Sequence, residues 1–177
     1  MTRRKRLPAL ILAALILCAA VYRLQLNWMT ARADEQTATC WVLCKPNDPE
    51  DGGHYVNARI APSTSCRAVG YLELGDSFLT DAGSHNGFIR AYGVGENGES
   101  WVYSGFVVTE EPEIVNKRFV CVAIRRVAIR RWIGGPYVAG THWLTNGSNV
   151  YVYAIADGWA CTDRGYIQAE YLEADPE

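Results

Sequence analysis

Histidine is scarce in this chain, with three residues in 177, at positions 54, 85 and 142. None of the three stands on a recognisable orienting scaffold. His54 follows the Asp51-Gly52-Gly53 turn, His85 lies in Ser84-His85-Asn86-Gly87, and His142 precedes Trp143. No cysteine stands at a helix start, where its thiolate would be favoured. A Cys-His hydrolase therefore has no legible nucleophile and base, and Cys44 with His54 is the pair on which such an activity would depend. Zinc fares no better. Cys40-x-x-x-Cys44 offers two ligands, but no second Cys or His pair arrives at finger-like spacing. We expect no catalysis, no metal and no cofactor.

A helix-opening glycine motif is also missing where one first suggests itself. Gly93-Val94-Gly95-Glu96-Asn97-Gly98 satisfies G-x-G-x-x-G, but dinucleotide binding needs a helix to open at the last glycine. The chain instead continues into Trp101-Val102-Tyr103, alternating and β-forming. Asn97-Gly98 is itself a strong hairpin signal, because both central residues of a type I′ turn need positive φ. Glu96 would place a carboxylate beside any bound phosphate. The motif reads as a hairpin tip.

What the chain does contain is β-forming residues and turn punctuation: 10 Tyr, 6 Trp and 16 Gly, with 49% of residues apolar. The start, Met-Thr-Arg-Arg-Lys-Arg and then an apolar run from Leu7 to Tyr22, has the layout of a secretory signal or membrane anchor over residues 1–33. Ala31-Arg32-Ala33 offers a cleavage site well beyond Tyr22, so cleavage and anchoring both stay open. An extracytoplasmic protein, secreted or anchored by that segment, is expected, with the arginines and lysine at positions 3 to 6 left in the cytoplasm.

Removing residues 1–33 moves the formal charge from −2 to −8. An acidic exported chain is a poor general binder of nucleic acid, and it would meet a membrane only through its N-terminal segment. Residues 34–115 carry 4 basic and 13 acidic side chains, against 7 and 6 in residues 116–177. Five cysteines remain, at 40, 44, 66, 121 and 161. The odd count is a weak disulfide framework. Buried apolar thiols and a bridge from Cys44 to Cys40 or Cys66 are the competing readings.

The chain repeats itself. Val56-Asn57-Ala58-Arg59 corresponds to Val127-Ala128-Ile129-Arg130, Leu74-Gly75-Asp76 to Asn146-Gly147-Ser148, and Asn86-Gly87-Phe88-Ile89 to Asp157-Gly158-Trp159-Ala160. Trp101 to Val107 corresponds to Tyr166 to Leu172, at an offset shortened by the segment Val94–Glu99. Period-two alternation with Asn-Gly or Asp-Gly turns argues small antiparallel barrels or sandwiches. Thr109-Glu110-Glu111-Pro112-Glu113 is the break between copies.

On these residues both copies resemble the bacterial Src-homology-3-type (SH3b) domain. The first matches in Val56-Asn57-Ala58-Arg59 before its Pro-Ser loop, in Leu74-Gly75-Asp76, and in Ser100-Trp101-Val102 through Phe106-Val107, with Ser100 where glycine is usual. The second is divergent, with Ile133-Gly134-Gly135-Pro136 in place of the Pro-Ser loop. The resemblance implies an all-β chain of two tandem, SH3-like, partly open barrels over residues 38–110 and 117–174, preceded by the N-terminal signal or anchor helix. It also implies a non-enzymatic protein that recognises peptidoglycan or its stem peptides, the partner being a cell-wall peptide or glycan. The competing class is an adaptor that binds an envelope protein.

Aromatic and arginine placement marks the candidate ligand residues. Arg90 and Tyr92 share one strand face with Phe88, and Tyr103 shares another with Trp101. Tyr151 and Tyr153 point outward opposite Val150 and Val152. Arg126 and Arg130 share a face within Arg125–Trp132, where Trp132 would supply a stacking surface. The bland alternative for those arginines is ion pairing with the acidic first module.

Overall fold

The computed structural model describes residues 37–46, 54–81, 83–96, 98–138 and 143–175. The expected signal or anchor segment, Asn97 and His142 lie outside them. Among the described residues there is no α-helix, and the chain is all-β.

The first half runs through Ala38–Val42 (β1), Val56–Arg59 (β2), Ala68–Leu72 (β3), Ser77–Thr80 (β4), Ser84–His85 (β5), Phe88–Tyr92 (β6), Glu99–Tyr103 (β7) and Val107–Val108 (β8). These form one antiparallel sheet in the order β3-β2-β7-β6-β4-β1-β8, with β5 paired to β6. The second half contains Glu113–Cys121 (β9), Val127–Ala128 (β10), Trp143–Leu144 (β11), Asn149–Ala156 (β12), Trp159–Thr162 (β13), Gly165–Gln168 (β14) and Leu172–Ala174 (β15). Five of them order as β14-β13-β12-β9-β15, and β10 pairs with β11 alone. Neither large sheet closes on itself.

The repeat read from the sequence reappears as pairing. β1 lies between β4 and β8, and β9 lies between β12 and β15. In each half a 3-10 turn, Ser104–Phe106 or Ala169–Tyr171, leads into the last short strand. The hairpin tips coincide as well. Asn86 and Gly87 have φ of 51° and 78°, and Asp157 and Gly158 have 47° and 74°, the double positive φ of a type I′ turn. Gly93-to-Gly98 is a loop between β6 and β7, closed by Gly93 N–H donating to Gly98 O at 2.8 Å, and it leads into a strand rather than a helix.

Alternation selects the core. Along β12 the side chains of Val150, Val152, Ala154 and Ala156 are buried, while Tyr151 and Tyr153 face outward. Each half has its own apolar cluster, around Val42, Val56, Phe78 and Val102 in the first and Phe119, Ile129, Leu144 and Ile167 in the second. A third cluster joins them: Leu43 and Val108 pack with Ala154, Ala156, Cys161 and Tyr166. Residues 38–177 accordingly form one compact unit. The linker after β8 is fixed too, because the Asp157 carboxylate accepts from Thr109 N–H at 2.7 Å and Glu110 N–H at 3.1 Å.

Candidate functional site: a basic aromatic groove

Beyond Cys121 the chain leaves β9 and loops outward before β10. Val122 N–H donates to Tyr171 O at 3.0 Å, which keeps the loop against the second 3-10 turn. β10 then pairs with β11, setting Ala128 opposite Trp143, while Trp159 and Gln168 face each other across β13 and β14. These elements enclose a cavity of about 750 Å³, within the size range of sites for small ligands and peptides. Its lining includes the small or apolar Ala123, Val127 and Ala128, the aromatic Trp143, Trp159 and Tyr171, and the charged Arg125, Arg126 and Arg130.

The arginines are of two kinds. Arg130 is held in place. Its guanidinium donates to Gly135 O at 2.6 Å and lies over the Tyr137 ring at 5.0 Å, while its backbone exchanges two bonds with Tyr166. Arg125 and Arg126 are exposed, and neither forms an ion pair among the described residues. Pairing of this cluster with the acidic first half is therefore not seen there. The described ion pairs all lie within the first half, joining Arg67 to Glu96 and Arg90 to Asp81 and Glu99.

No carboxylate lines the groove among the described residues. Glu170, its nearest acidic neighbour in sequence, acts on the Tyr171 phenol and raises it above its ordinary range. A guanidinium group can hold a carboxylate through two parallel hydrogen bonds, and the attraction of an exposed charge reaches about 8 Å at physiological salt. On the rim, Ile124 is fully exposed and Trp143 is 44% exposed.

The other sequence-derived candidates disperse. Tyr103 and Trp132 meet edge-on with centroids 5.4 Å apart in the seam between the halves, where a cavity of about 310 Å³ is also lined by Tyr55, Phe88 and Phe106. Trp132 is committed to packing there. A Cβ on Gly105 or Gly135 would fall 2.5 or 2.3 Å from its indole. Arg90 and Tyr92 belong to a closed polar cluster. The Tyr92 hydroxyl donates to Asp81 at 3.0 Å, and Arg90 lies 3.3 Å from Glu99 and over Trp101. Asp81 is held below the usual carboxylate range, first by the Gly83 N–H and then by Tyr92 and Arg90. Tyr151 and Tyr153 do point outward together, 5.2 Å apart, with the Tyr151 hydroxyl donating to Asn116 O at 2.8 Å.

So Arg126 and Arg130 lie in the groove, and the remaining six candidates lie in three other places. Sequence reasoning missed Trp143, Gln168 and Tyr171 and assigned Trp159 only to a turn. The missed residues come from β11, β14 and the 3-10 turn; the repeat alignment of Tyr166 to Leu172 contained Gln168 and Tyr171, but as closing strand elements and not as ligand residues.

Cys44 and His54 line one cavity of about 260 Å³ together with Cys161 and Tyr166. Burial pushes the Cys44 thiol up to about 12, with Cys161, Asp76 and Glu73 adding to the shift, opposite to what an activated nucleophile needs. No metal-holding group of three or more His, Cys, Asp or Glu occurs among the described residues.

No family model matches the sequence, and no curated protein matches it. Among solved structures, NlpC2 from Trichomonas vaginalis is 18% identical, with a TM-score of 0.31, over 78% of this chain and 48% of that one. NlpC1 from the same organism is 16% identical, with a TM-score of 0.29, over 78% and 46%. This chain thus spans about half the length of either structure, and similarity at that level assigns neither fold nor activity.

Proposed function

We propose that this is an exported, non-enzymatic binding protein built of two SH3-like, partly open barrels, tethered or secreted through its N-terminal segment. Its ligands are carboxylate-bearing peptides of the cell envelope, peptidoglycan stem peptides above all. One observation carries the reading. On a chain whose part after residue 33 has a formal charge of −8, a groove of about 750 Å³ collects three arginines and three large aromatics with no acid among its described lining. The arginines fix carboxylates, and the aromatic side chains cover the apolar parts of a peptide. The non-enzymatic part is supported by the raised Cys44 thiol, the cysteine that would have to act with His54.

Retention on purified sacculi tests the proposal. The protein should be retained well above a charge-matched control, and Arg125→Ser with Arg126→Ser should reduce retention at least fivefold. Retention equal to the control removes the reading.

A second reading is favoured by the wholly exposed Ile124 and the half-exposed Trp143 on the groove rim. These suit an adaptor that docks an envelope protein. Crosslinking from residues 116–177 on intact cells separates the two. Wall fragments support the first reading, and one stoichiometric polypeptide supports the second.

A further inference from the structure

Cys44 and Cys161 belong to different halves and are 117 positions apart in sequence. Two side-chain hydrogen bonds cross the seam on either side of Cys44. The Tyr166 hydroxyl donates to Leu43 O at 2.7 Å, and the Lys45 ammonium donates to Asp163 O at 2.6 Å. Their partners flank Cys161 in the same way, since Cys161 is paired directly with Tyr166 across β13 and β14, and Asp163 is two positions beyond it. That same Tyr166 hydroxyl lies close enough to the Cys161 thiol to act on its ionisation. Tyr166 is therefore a common neighbour of the Cys161 sulfur and of the peptide entering Cys44. Both thiols line the 260 Å³ cavity at this point.

We propose that Cys44 and Cys161 are an oxidisable pair that closes into a disulfide across the seam, locking the two halves together. The other cysteines lack this arrangement. Cys40 shares the first-half cluster with Cys44 but does not line the cavity that holds Cys161, Cys121 lies in the core of the second half, and Cys66 sits in a loop with its carbonyl held by Arg59.

The chemistry balances with a disulfide oxidant. One protein thiol, as its thiolate, attacks a sulfur of the oxidant and expels one thiol. The second protein thiol then attacks the mixed disulfide and expels the other, so that two protein thiols become one S–S bond and the oxidant becomes two thiols. A low-molecular-weight disulfide or a disulfide oxidoreductase fits that role. Burial disfavours both thiolates in the folded state, so the bond forms while the seam is open during folding. Its occurrence in the cell rests on the extracytoplasmic reading, because such compartments sustain disulfides. The placement of both cysteines on one cavity between the bonds Tyr166–Leu43 and Lys45–Asp163 does not rest on that reading.

The test is to refold the full chain in a glutathione redox buffer, quench it with acid, alkylate it in denaturant and map the peptides without reduction. Free thiols should fall from six to four, with one linked peptide pair joining Cys44 to Cys161. The oxidised form should melt about 5–10 °C above the reduced form. Cys66→Ser should leave the link intact, and Cys161→Ser should abolish it. Six free thiols, or a link at any other pair such as Cys44 with Cys40 or Cys66, overturns the proposal. Peptide mapping of the unmutated chain decides even where Cys161→Ser fails to fold. Failure to bind sacculi leaves it standing, since no ligand enters the measurement.

Discussion

The Tyr166 hydroxyl donates to the carbonyl of Leu43 at 2.7 Å, a buried bond between residues 123 positions apart. It joins the two halves at the centre of their shared apolar cluster. The phenol is held well above its ordinary range, chiefly by burial, so it stays a donor throughout the physiological range. Removing only the oxygen, by Tyr166→Phe, strands a buried carbonyl and costs about 1–3 kcal/mol. A lower melting temperature, by about 3–10 °C, with unchanged far-ultraviolet circular dichroism, is the expected result. An unchanged melting temperature would show that the seam does not depend on this bond.

Trp132 makes the seam sensitive to glycine replacement. A methyl on Gly105 would lie 2.5 Å from the indole and 2.9 Å from Tyr103, closer than carbon atoms approach. Gly105→Ala therefore forces Trp132 out, costing about 1–3 kcal/mol for overpacking. Trp132 emission should shift to the red in this variant, and the double variant Gly105→Ala with Trp132→Leu should recover part of the loss. Calorimetry on the unmutated chain should give one cooperative transition, because a shared core couples the halves. Two separated transitions would contradict that coupling.

How far the sequence disclosed this molecule depends on the kind of signal. Hairpin tips at Asn86-Gly87 and Asp157-Gly158 were legible because positive φ at consecutive residues selects Asn, Asp and Gly. The facing of Tyr151 and Tyr153 was legible from period-two alternation. The Arg125–Trp132 cluster was harder. Read as a strand it gave two faces, but only Val127–Ala128 is strand, and the flanking arginines occupy a loop whose course is set by Val122 N–H and by the β10–β11 pairing. Nothing local in the sequence places Trp143 and Tyr171 beside those arginines. That proximity arises from strand pairing across 15 to 17 positions in one case and 51 to 55 in the other. The seam was similarly hidden, because a residue such as Leu43 looks the same facing its own half or the other one.

Alkaline pH should weaken the reduced protein. The Cys44 and Cys161 thiols are each pushed up from 9.0 to about 12, burial being the largest cause. Between those values the folded chain retains protons that the unfolded chain releases, so stability falls as pH rises from about 9 towards 12. The slope approaches about 1.4 kcal/mol per pH unit for each thiol. Urea midpoints from pH 8 to 11 check this, and Cys44→Ala with Cys161→Ala should make the decline shallower, above all between pH 9 and 10, leaving the part due to the buried Tyr166 phenol and the Cys40 thiol. A flat profile in the unmutated reduced chain would contradict the burial of both thiols.

Binding in the groove should track the guanidinium groups and not the net charge. If Arg125 and Arg126 contact carboxylates, Arg125→Lys with Arg126→Lys keeps the charge and loses the planar two-point geometry. A loss of about 3- to 10-fold in affinity for a stem peptide is expected, on the order of 1 kcal/mol, against a larger loss for the double serine variant. Amidating the peptide carboxylates should reduce binding to unmutated protein by a similar factor and leave the serine variant almost unaffected. Raising salt from 50 to 300 mM should weaken the unmutated complex more than the serine complex, because attraction between exposed charges is screened. Equal affinity for free and amidated peptides would place recognition on the aromatic side chains of Trp143, Trp159 and Tyr171, and would remove the arginines from the binding account.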